Sequence, residues 1–453
     1  MMRAVNPATG ALIREYPEHG EDEVAERLAQ AERAFASWRR FDFEERAGYL
    51  TSVADLLREN QADFARLMTE EMGKTVTAAE SEVDKCAWAC DFYAENAARF
   101  LPAETVATDA GKSFVRYDPL GPVLAIMPWN FPFWQFFRFA APTLMAGNVA
   151  LLKHAANVPG TALAIEAAFR EAGFPEGVVT TLLVSSERVK GLIGDPAVRA
   201  VTLTGSDRAG MEVAAEAGRR LKKTVLELGG SDPFIVLADA DPSEAARQAA
   251  RARTVNSGQS CIAAKRFIVE EEIAGRFEDE FVQAMEGLAV GDPMDRAIEV
   301  GPLARQDLLD SLDDQVRRTV DAGARLRTGG QRLPRDGWFY PPTVLTGVEP
   351  GMAAFDEETF GPVAAVIRAR DTAHAVELAN RSNFGLGASI WTGDASRGEH
   401  LAAEIDAGMV FVNGAVKSDP RLPFGGIKHS GYGRELSEVG IREFVNTKTV
   451  WIK

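Results

Sequence analysis

Apolar and polar positions follow two different rhythms along this chain, and the change of rhythm divides it. Val24, Leu28, Ala31, Phe35 and Trp38 recur at three- and four-residue steps, the stripe of an amphipathic helix. Leu50, Val53, Leu57, Phe64 and Leu67 predict a second helix, with Gly73 after Met72 as its C-cap. The first hundred residues therefore read as helical. From Pro122 the pattern becomes short apolar runs alternating with amphipathic stretches. Residues 123–127, 149–152, 178–184, 200–204 and 224–228 predict buried parallel strands, with helical crossovers such as 160–171 and 207–219. After Gly230 a second α/β series follows, with strands expected at 234–237, 267–269, 363–367, 388–391 and 409–412. Parallel sheets of this kind bind ligands beyond the carboxyl ends of their strands. Asn130, Lys153, Ser206 and Glu227 all fall just past such ends.

Length sharpens this into two or more domains, because 453 residues exceed one ordinary core. A hydrophobic content of 46% with 26% charged residues is that of a globular protein. The formal charge of −16, without a Lys/Arg run, argues against nucleic acid or an anionic membrane as partner. The longest apolar region, 122–152, is interrupted by Pro128, Asn130, Pro132, Arg138, Pro142, Gly147 and Asn148, so it is no simple membrane span. The N-terminus carries no apolar signal segment, and a soluble, cytoplasmic protein is expected. Three cysteines make no disulfide framework and fit a reducing compartment. Cys86 and Cys90, four apart in a helical stretch, read as buried helix residues. The five histidines are scattered, and no metal is expected.

The third cysteine is different. Cys261 lies in Asn256-Ser257-Gly258-Gln259-Ser260-Cys261, a small, polar, Gly-containing loop, 34 positions after Glu227 in Leu226-Glu227-Leu228-Gly229-Gly230. A loop thiol and a strand-end carboxylate are the equipment for covalent chemistry on a carbonyl. They belong to different α/β series and would meet at an interdomain cleft. Each has a plainer reading: Cys261 as a small core residue, Glu227 as a salt-bridge partner, Asn130 as a helix cap. A cofactor-independent cysteine hydrolase is a further reading of the same pair. No Gly-x-Gly-x-x-Gly fingerprint follows a strand, but Thr204-Gly205-Ser206 closes one and opens a helix, offering N–H groups and a hydroxyl to a phosphate.

Taken together, Trp129-Asn130-Phe131-Pro132, Leu226 to Gly230, Gly258 to Cys261, Glu358-Thr359-Phe360-Gly361-Pro362 and Pro423-Phe424-Gly425-Gly426 resemble the aldehyde dehydrogenase family in order and spacing. The resemblance spans essentially the whole chain and is nearest to the short bacterial NAD(P)-dependent succinate semialdehyde dehydrogenases. It implies a Rossmann-like cofactor-binding domain (1–100 and 120–228), an α/β catalytic domain (229–433) and a small β oligomerisation element (101–119 and 434–453). A homodimer or homotetramer follows from that element.

By resemblance, Cys261 is the nucleophile, Glu227 the base and Asn130 an oxyanion donor. Trp129, Lys153, Ala156, Gly205, Ser206, Leu228, Glu358 and Phe360 are the expected cofactor contacts. NAD-preferring relatives often carry a Glu at the position of Ala156, where it would repel a 2′-phosphate. Ala156 beside Lys153 therefore points to NADP over NAD. Arg138, eight residues beyond Asn130, and Ser418 are expected to hold a distal carboxylate, implying succinate semialdehyde as substrate. Glutarate semialdehyde or an aromatic or aliphatic aldehyde are the alternatives. The plainer reading of Arg138 is a head that reaches solvent or pairs with an internal acid. Ile262, Ala263 and Ala264 follow the nucleophile, so no neighbouring cysteine could form a protective bridge under peroxide.

Overall fold

In the computed structural model, which describes residues 1–453, the chain opens with a hairpin, not a helix. β1 (Met2–Val5) and β2 (Leu12–Tyr16) pair antiparallel around a turn in which the Asn6 side chain accepts the Ala8 N–H. The expected helical first hundred residues are corrected accordingly. Pro7 and Gly10 break the chain before the three-to-four-residue rhythm sets in at Val24. α1 (Glu21–Trp38) carries the predicted stripe and buries Trp38, whose indole N–H donates to the Leu144 carbonyl at 3.1 Å.

The second predicted helix is two, interrupted at Asn60. α2 (Phe43–Glu59) starts in a capping box between Asp42 and Glu45, and α3 (Gln61–Met72) ends on Gly73 at φ 82°. α4 (Val76–Phe100) buries Cys86 and Cys90 completely. β3 (Glu104–Thr105) and β4 (Lys112–Pro119) follow.

The first large sheet is built from β5 (Pro122–Met127), α5 (Pro132–Met145), β6 (Val149–His154), α6 (Pro159–Glu171), β7 (Val179–Thr181), α7 (Val189–Gly194), β8 (Ala200–Thr204), α8 (Asp207–Arg219) and β9 (Lys223–Glu227). Its parallel strands run in the order β9-β8-β5-β6-β7. The expected strand 178–184 shortens to β7 because Leu183 exchanges hydrogen bonds with His19 instead. Strand order branches at β5, with β6 on one side and β8 on the other. The carboxyl end of β5 is therefore a topological switch point, where a crevice opens. Trp129 and Asn130 follow it directly.

The second sheet holds β10 (Pro233–Val236), β11 (Arg266–Glu270), β12 (Arg325–Thr328), β13 (Thr343–Thr346), β14 (Val363–Ala369), β16 (Gly387–Trp391) and β17 (Met409–Val412). Between β10 and β11 the chain passes through α9 (Pro242–Thr254), whose end leads to Cys261. Every neighbour pairing is parallel except that of the edge strand β12. Short strands tie the two sheets together: β18 (Ile427–Lys428) pairs with β15 (Phe384–Gly385), and β19 (Gly431–Tyr432) adds antiparallel to the edge strand β9. A third sheet joins β20 (Val445–Ile452) to β4 and β3, leaving Trp451 and Ile452 half exposed. No helix is long and apolar enough to cross a membrane.

Candidate active site

The loop that presents Cys261 is strained and pinned. After α9, Asn256 and Ser257 take positive φ of 53° and 55°, at a cost of order 1–3 kcal/mol each. Gly258 continues at φ 77°, and a Cβ there would lie 2.3 Å from the Gly361 carbonyl, so only glycine fits. Arg253 donates to the Gly258 carbonyl at 2.7 Å, and the Gln259 side chain accepts the Ala304 N–H at 2.9 Å. Asn130 reaches the same loop from the end of β5, its Nδ2 donating to the Gln259 carbonyl at 3.1 Å. Asn256 closes the link by donating to the Asn130 carbonyl at 2.7 Å. Asn130 is not a helix cap: the first N–H groups of α5, on Phe133 and Trp134, donate to Glu82 at 2.9 Å each. The sheet's switch point and the thiol loop are thus one hydrogen-bonded unit.

Glu227 ends β9, 2% exposed, with neither carboxyl oxygen hydrogen-bonded within the chain. The Pro423-Phe424-Gly425-Gly426 segment closes over it, and a Cβ on Gly425 would fall 2.6 Å from its Oε1. Burial pushes the Glu227 carboxyl well above the usual range, and the neighbouring Glu435 charge adds to this, while Arg138 and Arg434 oppose it. The Cys261 thiol is pushed up to about 12 by burial, with Lys265 and Arg138 pulling it down. Lys265 is fully buried behind the nucleophile, donating to the Cys261 and Ser260 carbonyls at 2.7 and 2.9 Å. The resting site thus favours a neutral thiol. A carboxylate with raised proton affinity is a better match to a thiol or water than an ordinary one.

Cys261 borders two cavities. One, of about 180 Å³, lies over the carboxyl ends of the first sheet and is lined by Trp129, Asn130, Gly205, Ser206, Leu228, Glu358 and Phe360. Trp129 and Phe360 meet edge to face at 5.7 Å, and Glu358 accepts the Gly230 N–H at 3.1 Å while lying 3.4 Å from Lys265. Ser206 caps α8 by accepting the Ala209 N–H at 3.3 Å, which leaves its hydroxyl proton free to donate. Lys153, at the end of β6, is buried without an ion pair, and Ala156 is exposed three residues on; neither lines this cavity. An unpaired lysine, a 13-residue helix N-terminus and a switch-point crevice fit the phosphates and ribose of a dinucleotide.

The second cavity, of about 410 Å³, has apolar walls from Phe131, Trp134, Val416 and Phe424, and includes Arg138 and Ser418. Arg138 lines this cavity with an internal partner. It is 2% exposed and ion-paired with Glu435, with its guanidinium carbon 4.4 Å from the Phe424 ring centroid. Its interval of two helical turns from Asn130 fits its place in the lining, and the plainer reading of pairing with an internal acid also holds, although the sequence does not say that the acid is Glu435. Sequence reasoning also passed over Glu435, Lys265, Glu82 and Lys85. The last two share one face of α4 with Ala78 and Ser81 at helical spacing, and that face lines this cavity.

A cysteine held between a switch-point crevice and a second pocket, with an amide and a buried carboxyl group around it, defines a thiol-dependent α/β enzyme. The chain belongs to the Aldehyde dehydrogenase family, whose model matches residues 1–450. It is 52% identical over 448 residues to a probable NADP(+) succinate-semialdehyde dehydrogenase of Synechocystis sp., covering 99% of each chain. A succinate-semialdehyde dehydrogenase (NADP(+)) 1 of Mycobacterium tuberculosis is likewise 52% identical over 451 residues, with 99% of each covered. Among solved structures, the succinic semialdehyde dehydrogenase of Streptococcus pyogenes in complex with NADP+ superposes with a TM-score of 0.97 at 39% identity, covering 100% of both chains.

Proposed function

We propose that this protein oxidises succinate semialdehyde to succinate, with NADP preferred over NAD. The single observation that carries the reading is Cys261 standing between the two cavities, one opening over the strand ends and the α8 N-terminus where a nicotinamide end would reach the thiol, the other large enough for a short aldehyde. The names of the relatives point to the same substrate and cofactor.

In this reading the aldehyde oxygen is held by the Asn130 amide and the Cys261 N–H, each donor worth about 3 kcal/mol in the barrier. The thiol proton passes to Glu227 as Sγ bonds to the aldehyde carbon, giving a thiohemiacetal. When bound, the dinucleotide supplies a hydride acceptor at its nicotinamide. Loss of that hydrogen leaves a thioester on Cys261. Glu227 releases the thiol's proton to solvent, then takes a proton from water as the water oxygen attacks the thioester; the Cys261 thiolate leaves and regains that proton from Glu227, and the product acid ionises to the carboxylate. Lys153, Ala156, Gly205, Ser206 and Leu228 would bind the dinucleotide, with Trp129, Glu358 and Phe360 at its nicotinamide end. Ser418 and Arg138 would face the distal end of the substrate, Arg138 with its charge shared with Glu435.

The first sheet with the N-terminal helices would form the cofactor-binding domain (1–100 and 120–228), and the second sheet the catalytic domain (229–433). The third sheet (101–119 and 434–453) would bind a second copy, since β20 carries half-exposed Trp451 and Ile452 that a partner would cover. That supports a homodimer or homotetramer. The free state of all three cysteines supports a reducing, cytoplasmic setting.

A panel of aldehydes assayed with each dinucleotide tests the proposal. The highest kcat/KM is expected for succinate semialdehyde with NADP. A higher value for glutarate semialdehyde or an aromatic aldehyde would overturn the substrate, and a far lower KM for NAD than for NADP would overturn the cofactor. Turnover without any dinucleotide would favour a cysteine hydrolase.

A further inference from the structure

The cavity beside Cys261 contains a cation that the motifs do not announce. Lys85 extends from α4, its Nζ donating to Ser418 Oγ at 2.6 Å and lying 4.5 Å from the Trp134 ring centroid. It forms no ion pair, and of the charges around it only Lys417, which also borders the cavity, is likewise unpaired. On its own helix, Glu82 is held by Lys74 and by the Phe133 and Trp134 N–H groups, and Cys86 is fully buried. From α5, Arg138 is paired with Glu435. From the loop before Phe424, Asp419 is clamped by Arg421 at 2.6 and 2.8 Å, and Lys417 is exposed.

We propose that Lys85, acting with Ser418, is the specificity-determining cation that reads the distal carboxylate of the substrate. The proposal rests on the semialdehyde reading above. Because Ser418 accepts from Lys85, its own hydroxyl proton is free to point at a carboxylate, so two donors converge from two different elements. The apolar walls around them exclude competing water and strengthen a charge-assisted bond. Arg138, already neutralised, contributes shape and a shared charge.

Burial lowers the Lys85 ammonium to about 8, with the Arg138 charge as the next cause. The sign follows directly: the cation is present below that pH and is lost as pH rises through it, so selectivity for an anion should fade on the alkaline side.

The test compares succinate semialdehyde with butanal, an uncharged aldehyde of the same carbon count, in wild type, K85M and K85R. The ratio of their kcat/KM values should fall about ten- to hundredfold in K85M, the range of one charge-assisted hydrogen bond, and stay within about threefold in K85R. A purely structural role for Lys85 would depress both aldehydes together and leave the ratio intact, which would overturn the proposal. Wild type alone gives a reading that needs no variant to fold. The KM for succinate semialdehyde should climb from about pH 8 upward relative to that for butanal, and a constant KM ratio up to about pH 9.5 would also overturn it. A wild-type enzyme indifferent to the distal charge would sink the substrate assignment itself. Selectivity that survives in K85M would sink only the role of Lys85.

Discussion

The two cavities that flank Cys261 are made in different ways. The crevice over the first sheet is made by backbone: strand ends, the start of α8, and glycines packed so closely that Gly229 and Gly230 leave no room for a Cβ beside Glu358 and Cys261. The larger cavity is made by side chains from α4, α5, the thiol loop and the loop before Phe424, and its character comes from which charge pairs with which. A backbone site is fixed once the fold is fixed. A side-chain site can change its preference through one altered ion pair.

The residue common to both gives the largest effect. Replacing Cys261 by Ser should lower kcat for aldehyde oxidation by at least about 10⁴-fold, as loss of a covalent nucleophile does. Dinucleotide binding should persist, because the crevice is otherwise untouched. Quenching of Trp129 fluorescence by added NADP measures the second half of this prediction. Aldehyde oxidation at the wild-type rate would remove the thiol from the chemistry.

Next in size is the ion pair on the side-chain side. Glu435→Gln leaves the Arg138 guanidinium, 2% exposed, without its counter-charge, which should cost about 3–5 kcal/mol of stability in a denaturant titration. The same change moves the chemistry in a direction that can be stated. The Glu435 charge is the second cause raising Glu227, after burial, and Arg138 is the first that lowers it. Removing one and freeing the other should lower the Glu227 pKa. Base catalysis needs the ionised carboxylate, so the acid limb of the kcat profile should shift to lower pH. An unmoved limb would mean that Glu435 and Glu227 are not electrostatically coupled. At the crevice, a mutant of Ser206, which carries no charge, should alter dinucleotide KM without moving that limb.

This contrast also explains what the sequence made legible. Strand-end positions such as Asn130, Ser206 and Glu227 could be placed because apolar runs locate strands and a parallel sheet gathers ligands at their ends. Gly258 could be noticed as a loop residue, though not why it must be glycine, since the Gly361 carbonyl that crowds it is remote in sequence. Arg138 was found by its isolation in an apolar stretch. Its partner was not, because no periodicity connects α5 to a loop that follows Phe424. Lys85 was hidden differently: on α4 it looks like one more lysine at the polar edge of an amphipathic helix. Only packing of that face against Trp134 and Ser418 distinguishes it. The opening hairpin was missed because a strong helical rhythm downstream was extended across Pro7 and Gly10.

The smallest effects belong beyond the crevice, at the end of β6, and they test whether backbone alone sets cofactor choice. Lys153 carries an unpaired charge at the end of β6, and Ala156 stands exposed three residues later with nothing to offer or oppose. On the proposed cofactor placement, Ala156→Glu puts a carboxylate beside the 2′-phosphate, and at partly exposed separations the repulsion should raise the KM for NADP about ten- to hundredfold. The KM for NAD should hold or fall, since the same carboxylate can accept from the ribose hydroxyls. Ala156→Ser is subtler. A hydroxyl adds one neutral-donor hydrogen bond to the phosphate, worth about 0.5–1.5 kcal/mol, and the KM for NADP should drop about two- to tenfold with NAD unaffected. The pair of variants separates two ideas of the site. If both shift the NADP/NAD ratio in the stated directions, position 156 reads the 2′-phosphate through its side chain, and the end of β6 behaves like the side-chain cavity. If neither does, the phosphate lies elsewhere along β6 and α8, and the contrast between the two cavities holds to the crevice's edge.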